Sequence, residues 1–440
     1  MTWRFLVLIA LVSSIFLGNK TSVRAETVAP SKPLEQTTPK LARPMSSADY
    51  YMRGLEKYTS GDNQGALADF NEAIRLDPNL SGAYALRGAV KRTLGDEQGA
   101  NADFKEAERL IPKDALYYTD RGGSKAVSGD KKGAITDYTE AIRLDPNFAG
   151  AYYNRGNAKS DLGDKKGALA DYTEAIRLNP NFALSYNGRG NAKSDLGDKK
   201  GAITDYNEAI RLDPNFALYY LSRGIAKYGL GDKQGAITDY TEVIRLNPDY
   251  ADAYYNRGIA KFELGDKQSV IADYTEAIRL NPSFTKAYTG RGLVKSILED
   301  KQGAIADYNE AIRLNPNDGI VYNNRGNLKA DLGNKKGAIA DYDEAIRLNP
   351  KDAKAYNNRG NAKSDLGDKQ GAIVDYTEAI RINPKDAKAY LNRSIVRSEL
   401  GDKKGSETDR NEAIRLNPNL APTDNRANNY QNLGEKHYLS

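Results

Sequence analysis

The chain of 440 residues contains no cysteine. That absence removes disulfides, thiolate nucleophiles and cysteine metal sites together. Histidine is almost missing too: His437, in the C-terminal tail, is the only one. Neither a nucleophile–histidine pair nor a histidine-ligated metal can be assembled from this inventory. Trp3 is the single tryptophan. An excess of one charge is also lacking, since 64 Lys and Arg face 59 Asp and Glu. The two signs alternate through the chain and leave no basic stripe for phosphates, so nucleic acid is not an expected partner. Only one long apolar run exists, Phe5–Leu17, shorter than the roughly 20 residues a membrane span requires. Paired carboxylates remain as a route to catalysis, but they fall in repeated, charge-matched positions. No enzymatic activity, cofactor or metal is expected.

What the sequence does contain is a proline every 34 residues, from Pro78, Pro112 and Pro146 through to Pro384 and Pro418. Around each lies a variant of the segment at 151–180, AYYNRGNAKSDLGDKKGALADYTEAIRLNP. A short fixed period means a stacked array in which each unit buries its apolar face against the next. The unit at 149–182 serves as reference, and each column is named by its residue there. Tyr152, Gly156, Ala158 and Leu162 recur with helical spacing. Gly163 ends that helix and Asp164 opens the next as an N-cap. The second helix carries Ala168, Leu169, Tyr172, Ala175, Ile176 and Leu178 as its core stripe. Pro180 disfavours helix at Asn179 and closes the unit. Each unit therefore reads as two antiparallel helices.

The columns Tyr152, Gly156, Ala168, Tyr172, Ala175 and Pro180 resemble the tetratricopeptide repeat, in eleven tandem copies over 47–420. The resemblance implies an all-α fold, an α-solenoid wound as a right-handed superhelix of helix-turn-helix units. It also implies a concave groove lined by the first helices, able to hold an extended peptide or a helix.

Two columns depart from the family pattern. The Arg155 column is arginine in all eleven copies, where leucine is usual, and the Lys159 column is basic where an aromatic is usual. Asp171 and Glu174 recur just as regularly on the second helix. These residues predict a structural ion-pair ladder along the stack, with Arg155 and Asp171, Arg189 and Asp205, and Arg257 and Asp273 among its members.

On the first helix, Gly150, Tyr153, Asn157, Ser160 and Asp161 form a stripe off the core, and its chemistry changes along the chain. One stretch is apolar: Leu221, Ile225, Tyr228, Tyr255, Ile259, Phe262, Leu293 and Ile297. We expect this segment to bind a peptide or helix, since a contiguous exposed apolar patch usually marks an interaction surface; tighter curvature or extra core packing is the other reading. The flanking stretches are polar and rich in asparagine: Asn157, Asn187 and Asn191 on one side, then Asn323, Asn327, Asn357, Asn358, Asn361 and Asn392, with Lys354 and Lys388, on the other. Lysines and asparagines on successive first helices resemble part of a carboxylate clamp found in the family. However, the Tyr153 column holds no lysine, and Asp331 and Asp365 would repel a carboxylate. These amides could equally bond a peptide backbone or sugar hydroxyls.

The ends differ from the array. Arg4, the apolar run and Val23-Arg24-Ala25 resemble a signal peptide over 1–25 cleaved before Glu26; Pro30, Pro33, Pro39 and Pro44 mark 26–46 as a linker too poor in apolar residues to order itself. In the last repeat Ser406, Glu407 and Arg410 replace Ala, Leu or Ile, and Tyr. Residues 421–440 read as a decayed capping helix and tail. The expected protein is an exported, periplasmic or extracellular scaffold, monomeric and not membrane-embedded, that binds a protein or peptide ligand. Service to an envelope machine (polysaccharide export or outer-membrane assembly) is the alternative, and carbohydrate binding by the asparagine-rich repeats another.

Overall fold

The computed structural model describes residues 44–420, so the expected signal peptide and capping helix, and nearly all of the linker, lie outside the described residues. Twenty-two α-helices run from Ser47–Thr59 to Lys403–Leu416, followed by a 3-10 turn at Pro418–Leu420, with no strand among the described residues. The helices come in pairs, one pair per 34-residue unit, so the fold is an all-α solenoid; repeats are numbered one to eleven from Ser47. The chain divides into two compact units. The first runs to Ser128 and resumes over Thr136–Pro146; the second takes Gly129–Ile135 and continues from Asn147. Among the described residues no helix is long and apolar enough to cross a membrane.

Local chemistry explains the pairing. Ala149–Asp161 is the first helix of repeat four and Lys165–Leu178 the second. Gly163 turns between them at φ +85°, a conformation glycine adopts at little cost. The Asp164 carboxylate then accepts a hydrogen bond from the Gly167 N–H at 2.9 Å and caps the second helix. The two helices approach until a Cβ at Gly156 would lie 2.8 Å from Cε1 of Tyr172. Only glycine allows this contact.

Ala168, Tyr172, Ala175 and Ile176 are buried. Ala192 of the next repeat joins the cluster of Ala168 and Tyr172, and Ala287 joins that of Ala277 and Ile278. The Ala151 and Ala158 columns thus cover the second helix of the preceding repeat. Leu162 departs from the core assignment. It lies on the turn, half of its surface in solvent, as do Leu196, Leu264 and Leu366 in the same column.

Each pair is also tied by charge. Arg155 donates from Nε to Asp171 Oδ2 at 2.9 Å and from Nη2 to Oδ1 at 2.8 Å. Lys159 Nζ sits 2.8 Å from the same Oδ2. The same fork joins Arg189 to Asp205 and Arg257 to Asp273. Its aspartate is buried in all eleven repeats. The fork closes within one repeat, but the remaining guanidinium nitrogen reaches backwards. Nη1 of Arg223 donates to Asn207 at 2.7 Å, that of Arg325 to Asn309 at 2.7 Å and that of Arg393 to Thr377 at 3.0 Å. Hydrogen bonds from Arg53 hold the Asp69 carboxyl below the usual carboxylate range, against the effect of its burial.

Repeat eight breaks the turn rule. Glu299 occupies the Gly163 column at φ +64°. A side chain in the left-handed region costs about 1–2 kcal/mol. Glu299→Gly should therefore raise the urea midpoint, by the equivalent of about 1 kcal/mol; an unchanged or lowered midpoint would show that the turn carries no strain.

Candidate functional site

The first helices supply the variable face, and the structure separates its residues into three kinds. Leu221 is core: it is buried in the cluster of Tyr240 and Val243, so its assignment to a binding surface is corrected. Repeat six fills its Tyr153 column with leucine, and the branched side chain turns into the packing. Tyr228, Tyr255 and Phe262 are partly buried against core clusters. Tyr228 also donates its hydroxyl to Glu263, and the Tyr255 ring lies 4.9 Å from that of Phe284. These three aromatics wall the face and retain only part of their surface for a ligand.

Ile225 is different. It is 51% exposed, although it sits mid-helix between the buried Gly224 and Ala226. Ile259 and Leu293 stand in the same column of the next two repeats, half-buried, and Ile297 lies one turn beyond Leu293, also half-buried. Aliphatic side chains therefore run along successive first helices, accessible at one end and partly covered after it.

The asparagines form a relay. Tyr172 donates its hydroxyl to Asn157 Oδ1 at 2.7 Å, and Tyr206 does the same to Asn191 at 2.8 Å. Tyr342 and Tyr376 repeat this with Asn327 and Asn361. In repeats nine to eleven a second donor arrives from the following repeat. Asn358 Nδ2 reaches Asn323 and Asn327 at 3.2 and 3.0 Å, and Asn392 Nδ2 reaches Asn357 and Asn361, both at 3.0 Å. Asn323 and Asn357 are buried. Each of these amide oxygens thus accepts a hydrogen bond within the fold, and those of Asn327 and Asn361 accept two. A tyrosine hydroxyl beneath the face needs an acceptor when desolvated, and the asparagine supplies it. The sequence did carry a signal: wherever Asn358 or Asn392 occurs, asparagines precede it by 31 and 35 residues.

Asn187 has no such donor. Its Oδ1 is buried and unpartnered, as is the hydroxyl of Ser185. The column that supplies Asn358 and Asn392 holds Ser222 here, a side chain too short to span the gap.

Charge on the face is also mostly matched. Lys165 pairs with Asp195 at 2.8 Å and Lys335 with Asp365 at 2.6 Å. Burial raises the Asp331 carboxyl above its ordinary value. Lys354 is exposed and Lys388 half-buried. Their backbone N–H groups donate to the capping carboxylates of Asp352 and Asp386.

Tetratricopeptide-repeat models match residues 149–182, 251–284 and 353–386, and residues 50–80 and 285–318. A further model described as a TPR repeat matches 128–163, 190–231, 226–265 and 326–367. Together they cover more than half of the chain. The chain belongs to the tetratricopeptide-repeat family. No curated protein matches it. Similar solved structures include MamA, 29% identical, over 36% of this chain and 93% of its own, with a TM-score of 0.35. YrrB, described as a TPR protein with an unusual peptide-binding site, is 22% identical over 41% and 92%, with a TM-score of 0.36. The APC/C hetero-tetramer Cut9–Hcn1 is 15% identical over 86% and 94%, with a TM-score of 0.44.

The orphaned amide of this TPR protein makes a specific prediction. Ser222→Asn should place a donor on Asn187 Oδ1, as Asn358 does on Asn323, and stabilise the protein by about 1 kcal/mol. Thermal melting reads this, and a lowered melting temperature would show that repeat six cannot extend the relay.

Proposed function

We propose that this TPR protein is a non-enzymatic interaction scaffold whose first-helix face binds a protein partner as an extended peptide or a helix. The observation that carries this reading is Ile225, a large aliphatic side chain half in solvent at the centre of a helix, continued by Ile259, Leu293 and Ile297. The amide relay supports it from the other side. Because the asparagines of repeats nine to eleven largely satisfy one another, the polar stretch offers shape and order more than open acceptors. Binding energy then comes chiefly from apolar burial, about 25 cal/mol per Å². A few such anchors usually dominate an interface.

A random peptide display library is the direct probe. The protein should enrich peptides with large apolar residues, and the double variant Ile225→Asn with Ile259→Asn should bind them at least about tenfold more weakly. Its helicity should be kept, since Ile225 is not core. Failure to enrich any peptide, or equal affinity in the variant, would overturn the proposal.

We also propose export, on the strength of Phe5–Leu17 and the small-residue site at Val23-Arg24-Ala25. N-terminal sequencing of protein from its native cell should begin at or near Glu26; a start at Met1 or Thr2 would refute processing.

A further inference from the structure

The array is interrupted between repeats two and three. Ten of the eleven linkers begin with Asp or Asn, from Asp77 to Asn417, and the exception is Ile111. The side chain at this position folds the linker. Asn179 Oδ1 accepts from the Asn181 N–H at 3.1 Å, and the Phe182 N–H then donates to the Asn179 carbonyl. Asn349 and Asn383 hold Lys351 and Lys385 in the same way, at 3.1 and 3.3 Å. Isoleucine has no acceptor, so Ile111-Pro112-Lys113-Asp114 cannot form this turn.

The backbone follows. Asp352 and Asp386 open their helices with ψ of 91° and 88°. Asp114 has ψ −176° and caps Tyr117; its nearest counterpart is Ser46, which opens the first repeat with ψ 168°.

The packing columns change as well. Glu108 stands in the Ile176 column, which elsewhere receives the Ala151 column of the next repeat; that column is Tyr117 here. Ser124 replaces Ala158, and Lys105 stands where Asn207, Asn309 or Thr377 accepts the arginine rung. A lysine has nothing with which to accept. The result is read on Arg121, whose side chain is 42% exposed, like Arg53 at 44% in the first repeat. In the other nine repeats that arginine is 11–20% exposed. Repeat three therefore begins as an array begins, and repeat two ends with polar residues as repeat eleven does.

We infer that residues 111–114 form a hinge about which the first two repeats swing relative to the third. The junction lies inside the first compact unit. The hinge goes beyond the binding reading above and does not depend on it. Its consequence is that the first helices of repeats one and two present their face at an angle set by whatever the protein binds, not by repeat packing.

Two measurements on the full-length protein test it. The sequence Pro-Lys-Asp occurs at 112–114, 350–352 and 384–386, which gives trypsin three chemically equivalent sites. Cleavage after Lys113 should be at least roughly tenfold faster than after Lys351 or Lys385, because proteolysis follows local opening. The absence of cysteine allows pairs of spin labels at introduced cysteines. Ala102→Cys with Thr136→Cys spans the junction; Ala170→Cys with Thr204→Cys spans repeats four and five in the same column. The first pair should give a broad distance distribution and the second a narrow one. Changing the junction to the common pattern with Lys105→Thr, Glu108→Ile, Ile111→Asn, Tyr117→Ala and Ser124→Ala should narrow the first and protect Lys113. Equal cleavage at the three lysines, or equal widths for the two pairs, would overturn the hinge.

Discussion

The fork between the Arg155-type guanidinium and the Asp171-type carboxylate is the interaction on which the rest depends. Each repeat buries one aspartate between its two helices, and a buried carboxylate without partners is costly. Two nitrogens of one arginine and the ammonium of one lysine or a second arginine meet it in every copy. Removing the arginine would leave the charge in place with half of its compensation, a loss of about 3–5 kcal/mol for a buried pair. Geometry adds to this. The planar fork fixes the angle and register of the paired helices, which a point charge would not do. In several repeats the third guanidinium nitrogen then carries the constraint to an Asn, Thr or Asp of the preceding repeat.

Fixing the helices electrostatically frees their other faces. Glycine at position 156 and alanine at 168 bring the pair close, and one tyrosine fills the space between successive repeats. That tyrosine has a hydroxyl pointing toward the variable face. In four repeats an asparagine takes it; in repeats six to eight an aliphatic residue stands there instead. A single column thus trades between internal satisfaction and exposed apolar surface. At Ile225 that choice leaves about half of a large aliphatic side chain in solvent.

The same bookkeeping of donors and acceptors identifies where repetition fails. Stacking is favoured by an apolar second helix, an Asx acceptor in the linker and a rung residue able to accept a hydrogen bond. All three conditions fail together at repeat two. In the last repeat the second helix is polar: Glu407 and Arg410 are exposed, and Ser406 donates its hydroxyl to the Ser394 carbonyl of the paired helix.

Helix pairs, turns, caps and the arginine–aspartate columns were legible in the chain because each is local or recurs at a fixed period. Gly163 and Asp164 declare their turn by identity alone, and eleven copies of one spacing leave no other architecture. The carboxylate partner of Arg155 could be named from charge matching within the unit. Burial on the variable face was another matter. Leu221 and Ile225 are four residues apart on one helix and equally apolar, yet one is core and the other half in solvent. Asn323 and Asn157 are the same residue type, yet one is buried beneath an amide of the next repeat. Those outcomes depend on how far one first helix stands from its neighbour and on which side chain that neighbour offers. A residue's own identity does not contain this, because the contact that decides it lies about 31 or 35 positions away and forms only once the repeats have stacked.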